Sequence, residues 1–236
     1  MELSPTMQFF LVVGGAGPST AAFALTYREA GIAGMRKLCR RGLLVRFGFR
    51  EWLLILLLPQ VVTIAAAAMF APYPIGEPPS ELLAHPWRIG VYLILFVAGA
   101  ALEEFGWRGY AQPGWAARLG DLRASIVVGV AWALWHLPLF FIPGLGHAQL
   151  SFPAYLTLTV AAAIVIGDLL RRTGGSVAAA VGFHAAMNMS LTVFPPAGND
   201  KSDQRMLWCV AALYVVAAGA VVVRSRLRPA GSLGVT

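Results

Sequence analysis

The chain has 236 residues and a mass of 25.2 kDa; 58% of its residues are hydrophobic, only 12% are charged, and the mean hydropathy is +0.70. A soluble domain carries roughly 25% charged residues. Half that level leaves too few to cover a water-soluble globule of this size, which excludes a soluble enzyme, a disordered chain and a coiled coil. The net charge of +7 would suit nucleic acid in a soluble protein. In so apolar a chain topology accounts for it first, because membrane proteins keep their basic loops in the cytoplasm. No nucleic-acid partner is expected.

The apolar residues come in long unbroken runs rather than in alternating segments of about ten residues, so the expected fold is all-α, not a barrel. A single integral membrane domain over residues 1–236 is expected, a polytopic bundle of seven to eight transmembrane helices. Seven apolar stretches stand out, at about 7–26, 51–70, 89–108, 123–142, 152–170, 175–194 and 206–223. Each is near the length of about 20 residues that spans the hydrocarbon core.

The first stretch lacks the basic start of a signal peptide and is interrupted by Gly14, Gly15, Gly17 and Pro18. A broken or kinked membrane helix is expected there. The segment 28–50 follows with Arg28, Arg36, Lys37, Arg40, Arg41, Arg46 and Arg50. It reads as a basic cytoplasmic loop, or as an amphipathic stretch lying on the anionic inner leaflet. Loop 71–87 holds Pro72, Pro74, Pro78, Pro79 and Pro86 and reads as an irregular external connection; loop 143–151 is short, and the tail 229–236 is expected to be disordered.

Basic residues set the orientation. Arg118 and Arg123, with Arg108 at the edge, then Arg171 and Arg172, then Arg224, Arg226 and Arg228, all fall on the side of the 28–50 segment. The other side has only Arg88, Lys201 and Arg205, accompanied by Glu77, Glu81, Asp200 and Asp203. The N-terminus should therefore lie outside and the C-terminus in the cytoplasm. Cys39 and Cys209 show no metal-ligand spacing and read as structural residues with no disulfide between them.

Ionisable groups inside a membrane cost at least about 2.5–3.5 kcal/mol each and mark functional sites by default. Here they are Glu103, Glu104, Arg108, His136, Asp168 and His184, joined by Asn188. Adjacent helical residues point about 100° apart, so Glu103 and Glu104 share an edge rather than a face. Glu104 and Arg108 are four apart with the acid first, the favourable order for an ion pair. That pairing leaves Glu103 free for chemistry; pairing of Glu103 with Arg108 is the alternative, and a structural ion pair near the membrane surface is the plainest reading. His136 either caps a helix kinked at Pro138 or belongs to the same polar centre. His184 and Asn188 share a helical face among small residues, either as an interhelical hydrogen-bonding pair or as part of that centre. Asp168 is expected to pair with Arg171 or Arg172. Three helices each bringing a costly polar cluster towards the inner half or the middle of the membrane point to one shared cavity.

The ordered set Glu103-Glu104-x-x-x-Arg108, Trp132-x-x-x-His136 and His184-x-x-x-Asn188 resembles the CPBP family of intramembrane proteases, which includes the Rce1-type CAAX-processing endoproteases and the Abi proteins. Gly17-Pro18-Ser19-Thr20-Ala21-Ala22, followed by Gly31-x-x-Gly34 and a basic stretch, is also similar to bacterial members. The resemblance covers roughly residues 10–195, with a protease-like core at about 85–195. Two departures are Trp132, where the family usually has phenylalanine, and the seven apolar stretches against the family's eight helices. A short helix within 109–122 would make up the number.

The resemblance implies an intramembrane endopeptidase acting on a membrane-anchored peptide or protein. Glu103 would activate water with help from His136, His184 and Asn188 would stabilise the oxyanion, and Glu104 with Arg108 would position Glu103. Amide hydrolysis needs just such a base, a water and directed donors. A zinc-dependent version would use Glu103, His136 and His184 as ligands; a metal-free glutamate mechanism is preferred, with no cofactor expected, since no His-Glu-x-x-His helix is present. A serine or aspartyl intramembrane protease fits less well. Outside catalysis, a membrane scaffold or bacteriocin-immunity protein is the main alternative, and a proton-coupled transporter a lesser one because no inverted repeat is visible.

Overall fold

The computed structural model describes residues 4–70, 84–196 and 203–227. Most of the proline-rich connection 71–87 and the tail 229–236 lie outside the described residues. Among the described residues all regular structure is helical. In chain order the α-helices are α1 (Pro5–Gly15), α2 (Gly17–Gly42), α3 (Phe49–Met69), α4 (Trp87–Glu104), α5 (Gln112–Leu119), α6 (Asp121–His136), α7 (Phe152–Arg172), α8 (Val177–Val193) and α9 (Arg205–Leu227). A π-helical stretch, Phe105–Ala111, joins α4 to α5, and 3₁₀ turns at Leu137–Phe141 and Gly146–Gln149 follow α6.

Among the described residues, five helical stretches have the length and apolar composition to cross a membrane: Phe49–Met69, Trp87–Leu119, Asp121–Phe141, Phe152–Arg172 and Arg205–Leu227. Val177–Val193 is apolar but shorter. The apolar run 7–26 is not one span. It divides at Ala16 between α1 and α2, next to the Gly17-Pro18 step. The basic segment expected as a loop over 28–50 is instead helical as far as Gly42, since Arg, Lys and Glu are good helix formers. It bends at Gly31, whose φ of 59° is open to glycine at no steric cost. Within 109–122 the short helix α5 is present.

Helix α7 is the centre of the bundle. Leu158, Ala162, Val165, Ile166 and Leu169 are buried, and α6, α8 and α9 pack around it. Small residues set these distances: a Cβ at Gly129 of α6 would lie 2.8 Å from the Val160 Cα of α7. The outer faces of α3, α4 and α9 carry exposed Leu56, Ile64, Ile94 and Val216, as expected of helices whose solvent is lipid.

The π-helical stretch positions the site and carries its own backbone problem. Gln112 N–H bonds Trp107 O, five residues back. The next amide in that register would be residue 113, a proline with no N–H. Arg108 O is thereby left without its helical donor, and Gly109 O faces the same proline at α-helical spacing. Arg41, at the end of α2, fills both positions: its Nη2 donates to Arg108 O at 3.0 Å and its Nη1 to Gly109 O. Its Nε donates to Gly175 O at 2.7 Å, and Ser176 Oγ donates to Leu44 O, which ties the same corner to the start of α8. Gly106 of the π-helical stretch meets the Pro18 backbone so closely that no Cβ fits.

Charge-assisted hydrogen bonds contribute about 1.5–3 kcal/mol each. Arg41→Met should therefore lower the unfolding free energy in detergent by at least about 2 kcal/mol, and Arg41→Lys should recover only part, because one ammonium cannot reach three carbonyls. Thermal unfolding followed by circular dichroism reads both.

Candidate active site

The last turn of α4 points its two carboxylates into different surroundings. Glu104 is fully buried. Its Oε1 accepts from Arg108 Nη1 at 2.7 Å and from His184 Nδ1 of α8 at 3.0 Å. Of the two pairings open to Arg108, the structure thus forms the one with Glu104. The guanidinium carbon lies 4.6 Å from the centre of the Trp132 ring of α6, a cation–π contact in a dry interior, while Arg108 Nε and Nη2 have no hydrogen-bond partner. The His184 ring stands edge-on to Trp132 at 4.9 Å.

Glu103 faces a cavity of about 390 Å³ with 15% of its side chain exposed. Its Oε2 accepts from Trp132 Nε1 at 2.7 Å. Its Oε1 lies 3.9 Å from His136 Nε2, too far for a hydrogen bond. His136 Nδ1 is 2.9 Å from Trp132 O. A carbonyl only accepts, so Nδ1 carries the hydrogen, and Nε2 of the neutral ring presents its lone pair towards Glu103.

The same cavity is lined by His184 and by Asn188 one turn further along α8, with Phe96, Leu150, Leu158, Met187, Leu191 and Leu207 forming apolar walls. All six residues expected from the sequence, Glu103, Glu104, Arg108, His136, His184 and Asn188, converge here: four line the cavity, and Glu104 with Arg108 lie buried behind it. Asp168 is elsewhere, bonded to both Arg171 and Arg172.

Three contributors were not visible in the sequence. Trp132 had counted only as an aromatic, yet its N–H holds Glu103; the signal was the indole nitrogen that phenylalanine lacks. His147, in the 143–151 connection, stacks on His136 at 5.4 Å, and Tyr155 closes on both imidazoles at 5.7 and 5.5 Å. No spacing motif announces either. Burial and the neighbouring His136 push the His147 pKa down to about 4.

No three His, Cys, Asp or Glu side chains converge as a metal-holding group among the described residues. His184 uses Nδ1 on Glu104, His136 uses Nδ1 on Trp132 O and Glu103 uses Oε2 on Trp132, which leaves His184 Nε2, His136 Nε2 and Glu103 Oε1 unused by these bonds.

Removing one partner of a buried ion pair costs about 3–5 kcal/mol, whereas removing both costs far less. Arg108→Met should destabilise the protein by that amount, and Glu104→Gln with Arg108→Met should recover much of the loss in thermal unfolding. His147 gives a pH signature. Its folded pKa lies below the ordinary 6.5, so its contribution is complete above pH 6.5 and disappears as pH falls towards 4. Wild type should lose on the order of 2–3 kcal/mol relative to His147→Phe between pH 7 and 4.5.

Residues 85–190 match the family described as type II CAAX prenyl endopeptidase Rce1-like. All three paired motifs lie inside that span. A stretch of 50 residues is 46% identical to the CAAX prenyl protease 2 of Methanococcus maripaludis, covering 21% of this chain and 18% of that relative. The chain thus spans less than a fifth of the length of the curated relative it matches. That segment carries Glu103, Glu104, Arg108, His136, His184 and Asn188, and through it the chain is similar to CAAX-type prenyl endopeptidases.

Proposed function

We propose that this protein is an intramembrane endopeptidase that hydrolyses a peptide bond of a membrane-associated substrate. The observation that carries this reading is the 3.9 Å gap between Glu103 Oε1 and His136 Nε2 at the wall of the cavity. Both atoms accept hydrogen bonds when Glu103 is ionised and His136 neutral. A water about 2.8 Å from each can donate one hydrogen to either atom and keep a lone pair for attack. With Oε2 held by Trp132, Glu103 Oε1 is the oxygen that takes the proton.

His184 and Asn188 supply the other half of the chemistry. With His184 Nδ1–H on the Glu104 carboxylate, Nε2 is the ring nitrogen left for the cavity. It donates there only when the ring carries a proton on both nitrogens. The imidazolium and the Asn188 amide then stabilise the tetrahedral oxyanion. Collapse expels the amine, which takes its proton from Glu103. Arg108 and Glu104 do not touch substrate; they set the ring of His184 and the face of Trp132.

The apolar walls suit a lipid-anchored or transmembrane peptide. The positive-inside rule supports an orientation with the arginine-bearing ends of α2, α3, α7 and α9 in the cytoplasm and the N-terminus outside. The connections 146–150 and 195–196 that line the cavity belong to the opposite ends of the helices.

Proteolysis of membrane-anchored fluorogenic peptides in proteoliposomes tests the reading. Glu103→Gln should lower kcat at least about 100-fold. Trp132→Phe keeps the ring but drops the N–H, and should lower kcat about tenfold with little change in KM. Activity that persists in a chelator supports the metal-free route; loss restored by zinc overturns it. No cleavage by folded wild type across a broad panel turns the reading towards a binding or immunity role.

A further inference from the structure

A second concave site lies away from the cavity, between α3 and α9, at the arginine-rich end of the bundle. We propose that it binds an anionic phospholipid, with the headgroup phosphate at Arg50, Arg172 and Arg224 and an acyl chain along α3. The groove holds about 400 Å³ and is lined by those three arginines and by Leu53, Leu54, Leu57, Leu58 and Val61.

Three features carry the assignment. First, the arginines come from three different helix ends, the start of α3, the end of α7 and the end of α9, and line one groove. Arg172 is pre-oriented there by Asp168 at 2.7 Å and Glu51 at 3.3 Å. These two acids answer for part of the charge around the groove, but Arg50, Arg171 and Arg172 alone already outnumber them, so the local balance favours an anion. Second, the apolar lining recurs at helical spacing and makes one stripe on α3. Leu57 and Val61 are 51% and 60% exposed, so none of the described elements covers the stripe. Third, the lengths agree. Eleven residues separate Arg50 from Val61, about 16 Å of helix, and one leaflet of hydrocarbon is about 15 Å deep. A cationic end and an apolar stripe one leaflet long match a phospholipid and have no counterpart in a soluble anion.

The site is independent of the peptidase reading and is tested without activity. Native mass spectrometry and thermal unfolding of the full chain in neutral detergent would compare phosphatidylglycerol, phosphatidylcholine and inorganic phosphate. Wild type should retain phosphatidylglycerol in about tenfold preference to phosphatidylcholine, and its unfolding temperature should rise with that lipid alone. The double variant Arg50→Gln/Arg224→Gln should lose the preference, while Arg118→Gln, an arginine that does not line the groove, should keep it. Equal binding of the two lipids, an undiminished preference in the double variant, or the same stabilisation by inorganic phosphate each overturns the proposal. The comparison of the three ligands on wild type decides the matter even if the double variant does not fold.

Discussion

Glu104 has no contact with solvent, and the geometry around the cavity follows from how its charge is met. An unpaired carboxylate in a membrane interior would either cost many kcal/mol or take up a proton. It is met from two directions, by Arg108 one turn along its own helix and by His184 from α8. The first fixes the rotation of the π-helical stretch, and the second fixes α8 against α4. The guanidinium that results needs a neighbour of its own and finds the face of Trp132. One indole then serves three partners: its face meets Arg108, its ring plane sets the edge contact with His184, and its N–H holds Glu103.

Two adjacent glutamates thereby acquire different characters from surroundings alone. Glu104 is spent internally and is a structural charge. Glu103, rotated about 100° from it, keeps one oxygen towards a cavity bounded by His136, His147 and Tyr155. The second glutamate, which a simple surface ion pair leaves unexplained, is accounted for by this division.

The sequence made the helical class legible because apolar runs of near-bilayer length have few other solutions. It also made the convergence of the candidate residues legible, because charges inside such runs are few and their four-residue spacings put them on shared faces. Helix boundaries were less readable. The run 7–26 looked continuous in hydropathy, yet Gly17-Pro18 splits it, and the charged segment after it stayed helical because hydropathy says nothing about propensity. The 3.9 Å approach of Glu103 to His136 was likewise not readable from their places in the chain. Arg41 was read as one more topogenic charge, since nothing in its neighbourhood names acceptors that lie 67 and 134 residues away.

That arginine has a consequence for the order of events during synthesis. The acceptors stranded by Pro113 belong to a helix that leaves the ribosome after α2, so their donor already exists when they emerge. Gly175, the third acceptor, comes later still. The α4–π–α5 segment can settle on a waiting guanidinium, and α8 docks on the corner last, bringing His184 to Glu104. Completion of the polar centre thus waits for α8, after the segments carrying Glu103, Glu104 and His136 have been made. Until α8 arrives, the Glu104 carboxylate has Arg108 alone, and the charge network inside the bilayer is incomplete.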